Sequence, residues 1–131
     1  MRLVRIRDWR KAGLVAAGVR RYNGVSVSRQ RILSRPHFTI ETGSRVAGWI
    51  GFEGRRPGVF ELVHLSVKPQ YRHGGLAQGA VYRVLNMVRS CGGRYAYTRI
   101  NHRNFPSMCL ARKLGFARTS RGPLVRFGRR V

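Results

Sequence analysis

Short runs of branched and aromatic residues alternate with turn residues along the N-terminal half of the chain. Leu3–Ile6 predicts a first strand, and Phe38–Thr42 with Val46–Phe52 predicts a hairpin that turns at Gly43-Ser44. Val59–Val67, rich in β-branched and aromatic residues, predicts a further strand. Because short turns join most of these strands, this half is expected to be mostly antiparallel.

The segments between these strands carry other patterns. A helix is predicted from about Asp8, a residue type that caps helices well, to about Arg21. The Ser- and Arg-rich segment Tyr22–Pro36 fits either a second short helix or a loop. Gly54–Gly58 contains a proline and predicts a turn before the strand at Val59.

The C-terminal half begins with the three- and four-residue spacing of an amphipathic helix. The apolar stripe of that helix consists of Ala77, Ala80, Val81, Val84, Leu85 and Val88. Gly92-Gly93 ends it, and Arg94–Ile100 predicts a strand. Ser107–Leu114 predicts a shorter helix, and Phe116–Thr119 with Leu124–Phe127 a closing hairpin. A strand, a helix and a returning strand form a βαβ crossover, so part of the sheet should be parallel.

Together these elements predict one mixed α/β (α+β) domain over residues 1–131, with a mixed, mostly antiparallel sheet and flanking helices. The length supports one domain, because domains average about 100–200 residues. With 43% hydrophobic residues the chain has enough apolar side chains to form a buried core, and its composition is not that of a disordered protein. The apolar run from Leu14 to Val19 is too short for a membrane span of about 20 residues, so no membrane partner is expected.

The cysteines and histidines show no spacing typical of metal ligands. Cys91 and Cys109 form no CxxC motif, and the four histidines are scattered along the chain. We therefore expect no metal, reduced thiols and a cytoplasmic compartment.

A predicted strand runs into a basic, glycine-containing loop and directly on into a helix. Unpaired amides and the positive end of the dipole favour an anion at a helix start. Gly74 and Gly75 leave a phosphate room to approach, and Arg72 and His73 add donors. The loop fits a pyrophosphate cradle, but it fits equally a plain turn that needs glycines. It matches neither a Walker loop nor a dinucleotide-binding fingerprint.

Two motifs resemble a known family. Arg72-His73-Gly74-Gly75-Leu76-Ala77 matches the R/Q-x-x-G-x-G/A pattern of the GNAT superfamily of acyl-CoA-dependent N-acetyltransferases. Residues 104–116 are similar to the family's N-x-x-[A/S]-x-x-L-x-x-K-L-G-F box. Two motifs in the right order are more specific than either alone. The chain is thus identified as a single GNAT-like domain with its cofactor-binding core at about residues 59–116.

The resemblance implies how acetyl-CoA, or another acyl-CoA, would bind as co-substrate without a metal. It would lie where the strand ending at Val67 and the strand Arg94–Ile100 splay apart. The strand end Leu65-Ser66-Val67 would contact the pantetheine arm, with the backbone of Leu65 and Val67 pairing to it. The remaining cofactor-binding residues implied are Arg72, His73, Gly74, Gly75, Leu76 and Ala77 at the pyrophosphate, and Asn104 and Ser107 near the start of the later helix.

Glu61 is the candidate catalytic residue. It lies six residues before Val67, where many members of the superfamily carry a glutamate that acts as general base. A carboxylate there can take the proton that an ammonium substrate must lose before it attacks. The structural alternative is that Glu61 pairs with one of the many arginines. His64 alternates onto the opposite strand face unless a bulge intervenes, so we interpret it as a packed strand residue.

The general acid is left open. Many members of the superfamily protonate the leaving thiolate with a tyrosine of the later helix, and Ala111 stands in its place here. The remaining candidates are Ser107, Cys109, Tyr97 and water.

The charge points to a polyanionic partner. Twenty-four Arg and three Lys face four acidic residues, which gives a formal net charge of +23. CoA carries only a few negative charges, so the excess favours nucleic acid, whose phosphates the planar arginine fork grips well. A GC-rich genome would give the same arginine bias with no function attached, as a solvated surface.

The sequence therefore predicts an acyl-CoA-dependent N-acyltransferase, acting as an acetyltransferase, whose acceptor is an amine on a nucleic-acid or nucleic-acid-associated substrate. DNA bases, tRNA and ribosomal or chromatin proteins all qualify. The alternatives are a small-molecule or peptide N-acetyltransferase and a non-catalytic GNAT-fold module that binds nucleic acid. A cytoplasmic protein of bacterial or phage origin is expected. Whether two copies form a dimer by exchanging C-terminal strands stays open.

Overall fold

Helices cover both faces of a seven-stranded sheet in the computed structural model, which describes residues 1–131. The strands are β1 (Arg2–Arg5), β2 (His37–Thr42), β3 (Arg45–Arg56), β4 (Val59–Val67), β5 (Tyr95–Asn101), β6 (Ala117–Arg118) and β7 (Leu124–Arg130). The α-helices are α1 (Trp9–Gly18), α2 (Arg29–Ser34), α3 (Leu76–Ser90) and α4 (Phe105–Lys113). The predicted mixed α/β class is confirmed.

The sheet has the order β1-β2-β3-β4-β5-β7-β6. All neighbouring strands are antiparallel except β4 and β5, which α3 joins as a crossover. The parallel pairing covers only three residue pairs and ends at Glu61 opposite Tyr97. Beyond that point β4 and β5 run apart, so the sheet opens in its middle.

Each face of the sheet has its own apolar core. The larger core lies between the sheet and the helices α3 and α4. The apolar stripe predicted for α3 is buried from Ala80 to Val88, and Ala77 at its start is half-buried. The smaller core lies beneath α1 and α2 and centres on Trp49 of β3. The opening between β4 and β5 therefore connects two covered faces.

The first helix begins where the sequence predicts and ends differently. Asp8 is its N-cap, and the side chain accepts a hydrogen bond from Lys11 N at 2.7 Å. After α1 the chain continues as a π-helical turn, Val19–Asn23, which ends at Gly24 in the left-handed region. The ambiguous segment that follows contains the short helix α2.

The predicted turn Gly54–Gly58 is too long. Strand β3 continues to Arg56, which pairs with Val59, and only Pro57 and Gly58 form the turn. Arg55 explains the difference, because its guanidinium bridges Glu53 and Glu61 across the two strands. The ion pairs hold the hairpin ladder together almost to its tip.

Candidate active site

A cleft of about 610 Å³ opens where β4 and β5 separate. Its walls come from residues 22–26 after α1, residues 61–65 of β4 and residues 98–101 of β5. Asn104, Ser107 and Ala111 close it from α4. The cleft thus passes through the sheet from the face covered by α1 and α2 to the face covered by α3 and α4.

A β-bulge in β4 shapes the cleft wall. Gly51 pairs with Val63 and Trp49 with Ser66, so β4 has one residue more than β3 in this interval. His64 lies in the bulge with a φ of 59°. The extra residue turns His64 onto the face of Glu61, and both line the cleft. The expectation from simple alternation is therefore wrong at His64, because the bulge that would overturn it is present.

Glu61 faces the cleft, but arginines hold both of its oxygens. Arg55 donates to Oε1 from Nε at 2.8 Å and from Nη2 at 2.5 Å. Arg99 donates to Oε2 from Nε at 2.7 Å. Only 3% of the Glu61 side chain is exposed. These are the ion pairs of the structural alternative, and the role of Glu61 as general base stays a prediction.

A second buried carboxylate extends this chain of charges. Arg31 of α2 donates to both oxygens of Glu53, at 2.7 and 2.6 Å, and Arg55 lies 2.8 Å from Oε1. The hydrogen bonds from Arg31, opposed by burial, hold the pKa of Glu53 at about 2. Alternating charges therefore run from Arg31 through Glu53, Arg55 and Glu61 to Arg99.

The loop between β4 and α3 has the form of an anion cradle. No amide from His73 to Gln78 donates a hydrogen bond within the protein, and α3 has no side-chain cap. Gly75 has a φ of 78°, and a Cβ placed on it would meet no atom within 4 Å. Open space in front of unpaired amides at a helix start is what a pyrophosphate needs. The residues present therefore fit the phosphate end of an acyl-CoA.

Arg72 differs from the residues that follow it, because its backbone N–H donates to Pro69 O at 3.3 Å and is not free for a phosphate; a contact of the Arg72 guanidinium with the pyrophosphate stays a prediction. Its Nε donates to Val67 O at 2.8 Å, so the side chain folds back and ties the loop to the end of β4. His73 has a φ of 68°, which shows how tightly the chain turns before α3. Leu76 and Ala77 form the first turn of α3 and present their unpaired amides.

The end of β4 offers some of the backbone groups expected for the pantetheine arm. Lys68 N donates to Ala47 O at 2.8 Å, and Ser66 lies opposite Trp49. Since alternate residues of an antiparallel pair bond to the partner, Ser66 points its backbone groups toward β3 and Val67 points its own away. The N–H of Val67 therefore points away from β3, toward the side on which β4 and β5 separate.

Two further predicted residues lie at the start of α4. Asn104 is its N-cap and accepts a hydrogen bond from Ser107 N at 3.2 Å. Both line the cleft, as does Ala111. Of the side chains considered as general acid, only Ser107 lies in the cleft, because Cys109 is exposed elsewhere and Tyr97 is buried under Arg126.

Several residues at the cleft carry no sequence signal. Asn23 donates from Nδ2 to Leu65 O at 2.8 Å and accepts from Trp49 Nε1 at 3.2 Å, which fastens the π-helical turn to the bulge. His37 of β2 lies 3.0 Å from His64. The motifs cannot reveal these contacts, because they depend on how three separate elements pack.

Two other features concern cofactors and membranes. No three histidine, cysteine or acidic side chains lie close enough together to hold a metal ion. None of the helices combines the length and the apolar character needed to cross a membrane.

Comparison with known proteins identifies the fold and the family. An acetyltransferase of Bacillus subtilis solved with CoA is 13% identical, with a TM-score of 0.81 and coverage of 99% of both chains. The ribosomal-protein-S18-alanine N-acetyltransferase of Escherichia coli is 12% identical, with a TM-score of 0.82 and coverage of 99% of this chain and 93% of that one.

The protein yncA of Salmonella typhimurium, solved with acetyl-CoA, is 18% identical, with a TM-score of 0.78 and coverage of 99% of this chain and 94% of that one. No curated protein sequence gives a significant match. The model of the acetyltransferase (GNAT) family matches residues 5–116, most of the chain and both motifs. The chain belongs to the GNAT family of acetyltransferases.

Proposed function

We propose that this acetyltransferase uses acetyl-CoA to acetylate an amine carried by nucleic acid or by a protein bound to nucleic acid. The amides from His73 to Gln78 hold the pyrophosphate, and the arm runs along β4 toward the cleft. The acyl end then lies where β4 and β5 separate, and the acceptor amine enters from the face of α1 and α2.

The distribution of charge carries the acceptor proposal. Glu41, Glu53 and Glu61 are buried and paired with basic side chains, and Asp8 caps α1. The exposed surface therefore presents cations with almost no acidic groups between them. Such a surface raises the local concentration of polyanions and speeds their association.

A basic groove of about 620 Å³ lies beside the cleft. Arg56, Arg99 and Arg126 line it together with Tyr95, and Arg99 and Leu124 also line the cleft. The guanidinium groups of Arg56 and Arg126 make no hydrogen bond or ion pair within the protein. Phosphates bound in this groove would place an attached amine at the acyl site.

One relative suggests a concrete acceptor. The Escherichia coli protein acts by its name on the alanine of a ribosomal protein. A ribosomal protein is bound to RNA, so such an acceptor agrees with the basic surface. We therefore include the N-terminal region of a ribosomal protein among the acceptors to be screened, together with tRNA and DNA.

The experiment is an acceptor screen with radiolabelled acetyl-CoA. Purified protein freed of nucleic acid is incubated with tRNA, single-stranded DNA, ribosomal subunits and small alkyl amines. Label is expected in a nucleic acid or ribosomal fraction at a rate that falls steeply as salt rises. Acetylation of small amines alone, with no label in any polyanionic fraction, would contradict the proposed acceptor and leave the acetyltransferase activity intact.

The double variant R56Q/R126Q links the groove to the acceptor. It is expected to raise the KM for the labelled polyanion and to leave acetyl-CoA affinity unchanged. The matched control is R10Q/R83Q, which removes two exposed arginines from α1 and α3. Equal effects of the two double variants would show that general charge, and not the groove, binds the acceptor.

A further inference from the structure

Two histidines form a pair beside the bulge. His37 Nε2 and His64 Nδ1 are 3.0 Å apart, and the rings are stacked with their centres 5.2 Å apart. The other ring nitrogen of His37, Nδ1, lies 3.1 Å from the carbonyl oxygen of Arg35. Three groups are therefore linked in a row from the start of β2 to the cleft.

The carbonyl group of Arg35, at the end of this row, determines which ring nitrogens of His37 and His64 carry a proton. A carbonyl oxygen only accepts, so His37 Nδ1 must carry a proton. Neutral His37 then has an acceptor at Nε2, and His64 must donate to it from Nδ1. Because a neutral imidazole has a single N–H, His64 Nε2 carries a lone pair and no proton.

Both rings are neutral near pH 7. Burial lowers the pKa of His37, and burial together with the neighbouring His37 lowers the pKa of His64 to about 4. The charged groups that face His64 are Arg31 of α2, Glu53 of β3 and Glu61 of β4. Arg31 opposes protonation, and the two carboxylates, each neutralised by arginine, favour it only weakly.

The lone pair of His64 is accessible from the cleft. His64 Nε2 makes no hydrogen bond within the protein. The only buried side-chain nitrogen or oxygen without a partner is Arg5 Nε, so the unpaired His64 Nε2 is not a buried atom. His64 Nε2 is therefore open to solvent, and His64 lines the cleft. Glu61 differs in this respect, because Arg55 and Arg99 occupy its oxygens.

We propose that His64 Nε2 accepts the proton of the attacking amine, and that His37 and the Arg35 carbonyl hold it in the form that can do so. The proposal rests on the acyl transfer described above and does not depend on which amine is the acceptor. An acyl-CoA that lies on the amides of α3 and follows β4 brings its thioester to the bulge, where His64 lies.

The acyl transfer involves the amine, the thioester of acetyl-CoA and His64. The amine nitrogen attacks the thioester carbonyl carbon, a C–N bond forms and the C–S bond breaks. The proton lost by the amine passes to His64 Nε2. The thiolate of CoA takes up one proton from water and His64 returns its proton to water, so the products are the amide, CoA with a free thiol, and neutral His64.

The first test needs no acceptor. Long-range proton–nitrogen NMR spectra of protein labelled with ¹⁵N-histidine show which ring nitrogens carry protons. We expect the Nδ1–H form for both His37 and His64 at pH 7, with His64 Nε2 unprotonated. A His64 with its proton on Nε2, or a charged His64 at pH 7, would overturn the proposal whether or not an acceptor is known.

The second test uses acetyl-CoA and the acceptor that the wild-type protein labels in the screen. H64A is expected to lower kcat about a hundredfold or more, with the KM for acetyl-CoA almost unchanged. Imidazole added in solution should restore part of the rate, because the vacated cleft admits it. The control is H102A, which removes an exposed histidine and should change neither constant.

Two further variants separate positioning from catalysis. H37L removes the acceptor for His64 Nδ1–H, so His64 should populate both tautomers and kcat should fall, while H37Q, which keeps an acceptor oxygen, should recover part of the rate. A loss of rate in E61Q with an unchanged rate in H64A would overturn the proposal in favour of Glu61. Failure of every acceptor in the screen would count against the proposed acceptors alone, since the spectra decide the state of His64.

Discussion

At the scale of single residues, buried groups whose pKa is lowered make the fold sensitive to acid. The pKa of Glu53 is about 2, so this carboxylate stabilises the fold above its unfolded pKa, and its contribution is lost as the pH falls toward 2. Histidines that are buried in the neutral form act in the same direction. The contribution of His64, whose pKa is lowered to about 4, is lost as the pH falls from about 6.5.

This predicts two separate losses of stability with falling pH. The free energy of unfolding of wild-type protein should decrease first between about pH 6.5 and 4, and again between about pH 4.5 and 2. H64Q should flatten the first decrease. E53Q should flatten the second and cost about 2–3 kcal/mol at pH 7, because it removes the ionised partner of Arg31.

Urea unfolding at a series of pH values measures these differences. H102Q serves as the control for loss of an exposed histidine and should follow the wild-type curve. A curve for E53Q that is parallel to wild type below pH 4.5 would show that Glu53 is not the group responsible.

At the scale of elements, the hydrogen bonds of Asn23 fasten the π-helical turn after α1 to the bulge in β4. N23A removes the bonds to Leu65 O and from Trp49 Nε1. We expect a loss of about 1–2 kcal/mol in unfolding free energy and faster amide hydrogen exchange in residues 19–28. N86A, which removes an exposed asparagine bonded to Arg89, is the control. Unchanged exchange in residues 19–28 would show that the turn is held without Asn23.

The elements also show what the sequence can predict. The bounds of β4, Val59–Val67, were predictable because a continuous branched and aromatic run lies between turn residues. The α3 stripe was predictable because its three- and four-residue spacing is buried on one side. The bulge could not be predicted, because the alternation of side chains along a strand does not show where one extra residue is inserted. His64 therefore could not be assigned to the cleft.

Some residues of the candidate site could likewise be predicted from the sequence, and others could not. Gly74 and Gly75 could be placed in the cradle because they belong to a motif that precedes a helix. The ion pairs of Glu61 could not be placed, because nothing in a chain with 24 arginines distinguishes Arg55 and Arg99 from the others. Such contacts depend on how separate strands lie side by side, as in the parallel pairing of β4 with β5, and the residues around each arginine do not show this.

At the scale of the whole molecule, the net charge of +23 is concentrated at the surface because most of the acidic groups are buried. In binding to single-stranded nucleic acid, each phosphate contact adds about 0.7 to the magnitude of the slope of log affinity against log salt concentration. R56Q/R126Q, which removes two contacts, should therefore lower the magnitude of this slope for single-stranded DNA by about 1.4.

Binding measured at several salt concentrations tests this prediction. R10Q/R83Q has the same net charge as R56Q/R126Q but leaves the groove intact, so it should change the slope much less. A slope that falls equally in both double variants would show that the protein binds polyanions over its entire surface.

Acyl transfer by this protein requires that acetyl-CoA bind on the unpaired amides between β4 and α3, and calorimetric titration with acetyl-CoA measures this binding. G75V fills the open space of the cradle, and G43V places the same side chain at another left-handed glycine with nothing within 4 Å, in the β2–β3 turn. Both variants should lose about 1–2 kcal/mol of stability through backbone strain. We predict that G43V binds acetyl-CoA like wild type and that G75V binds at least about tenfold more weakly. Equal affinity of wild type and G75V would show that acetyl-CoA does not bind on these amides.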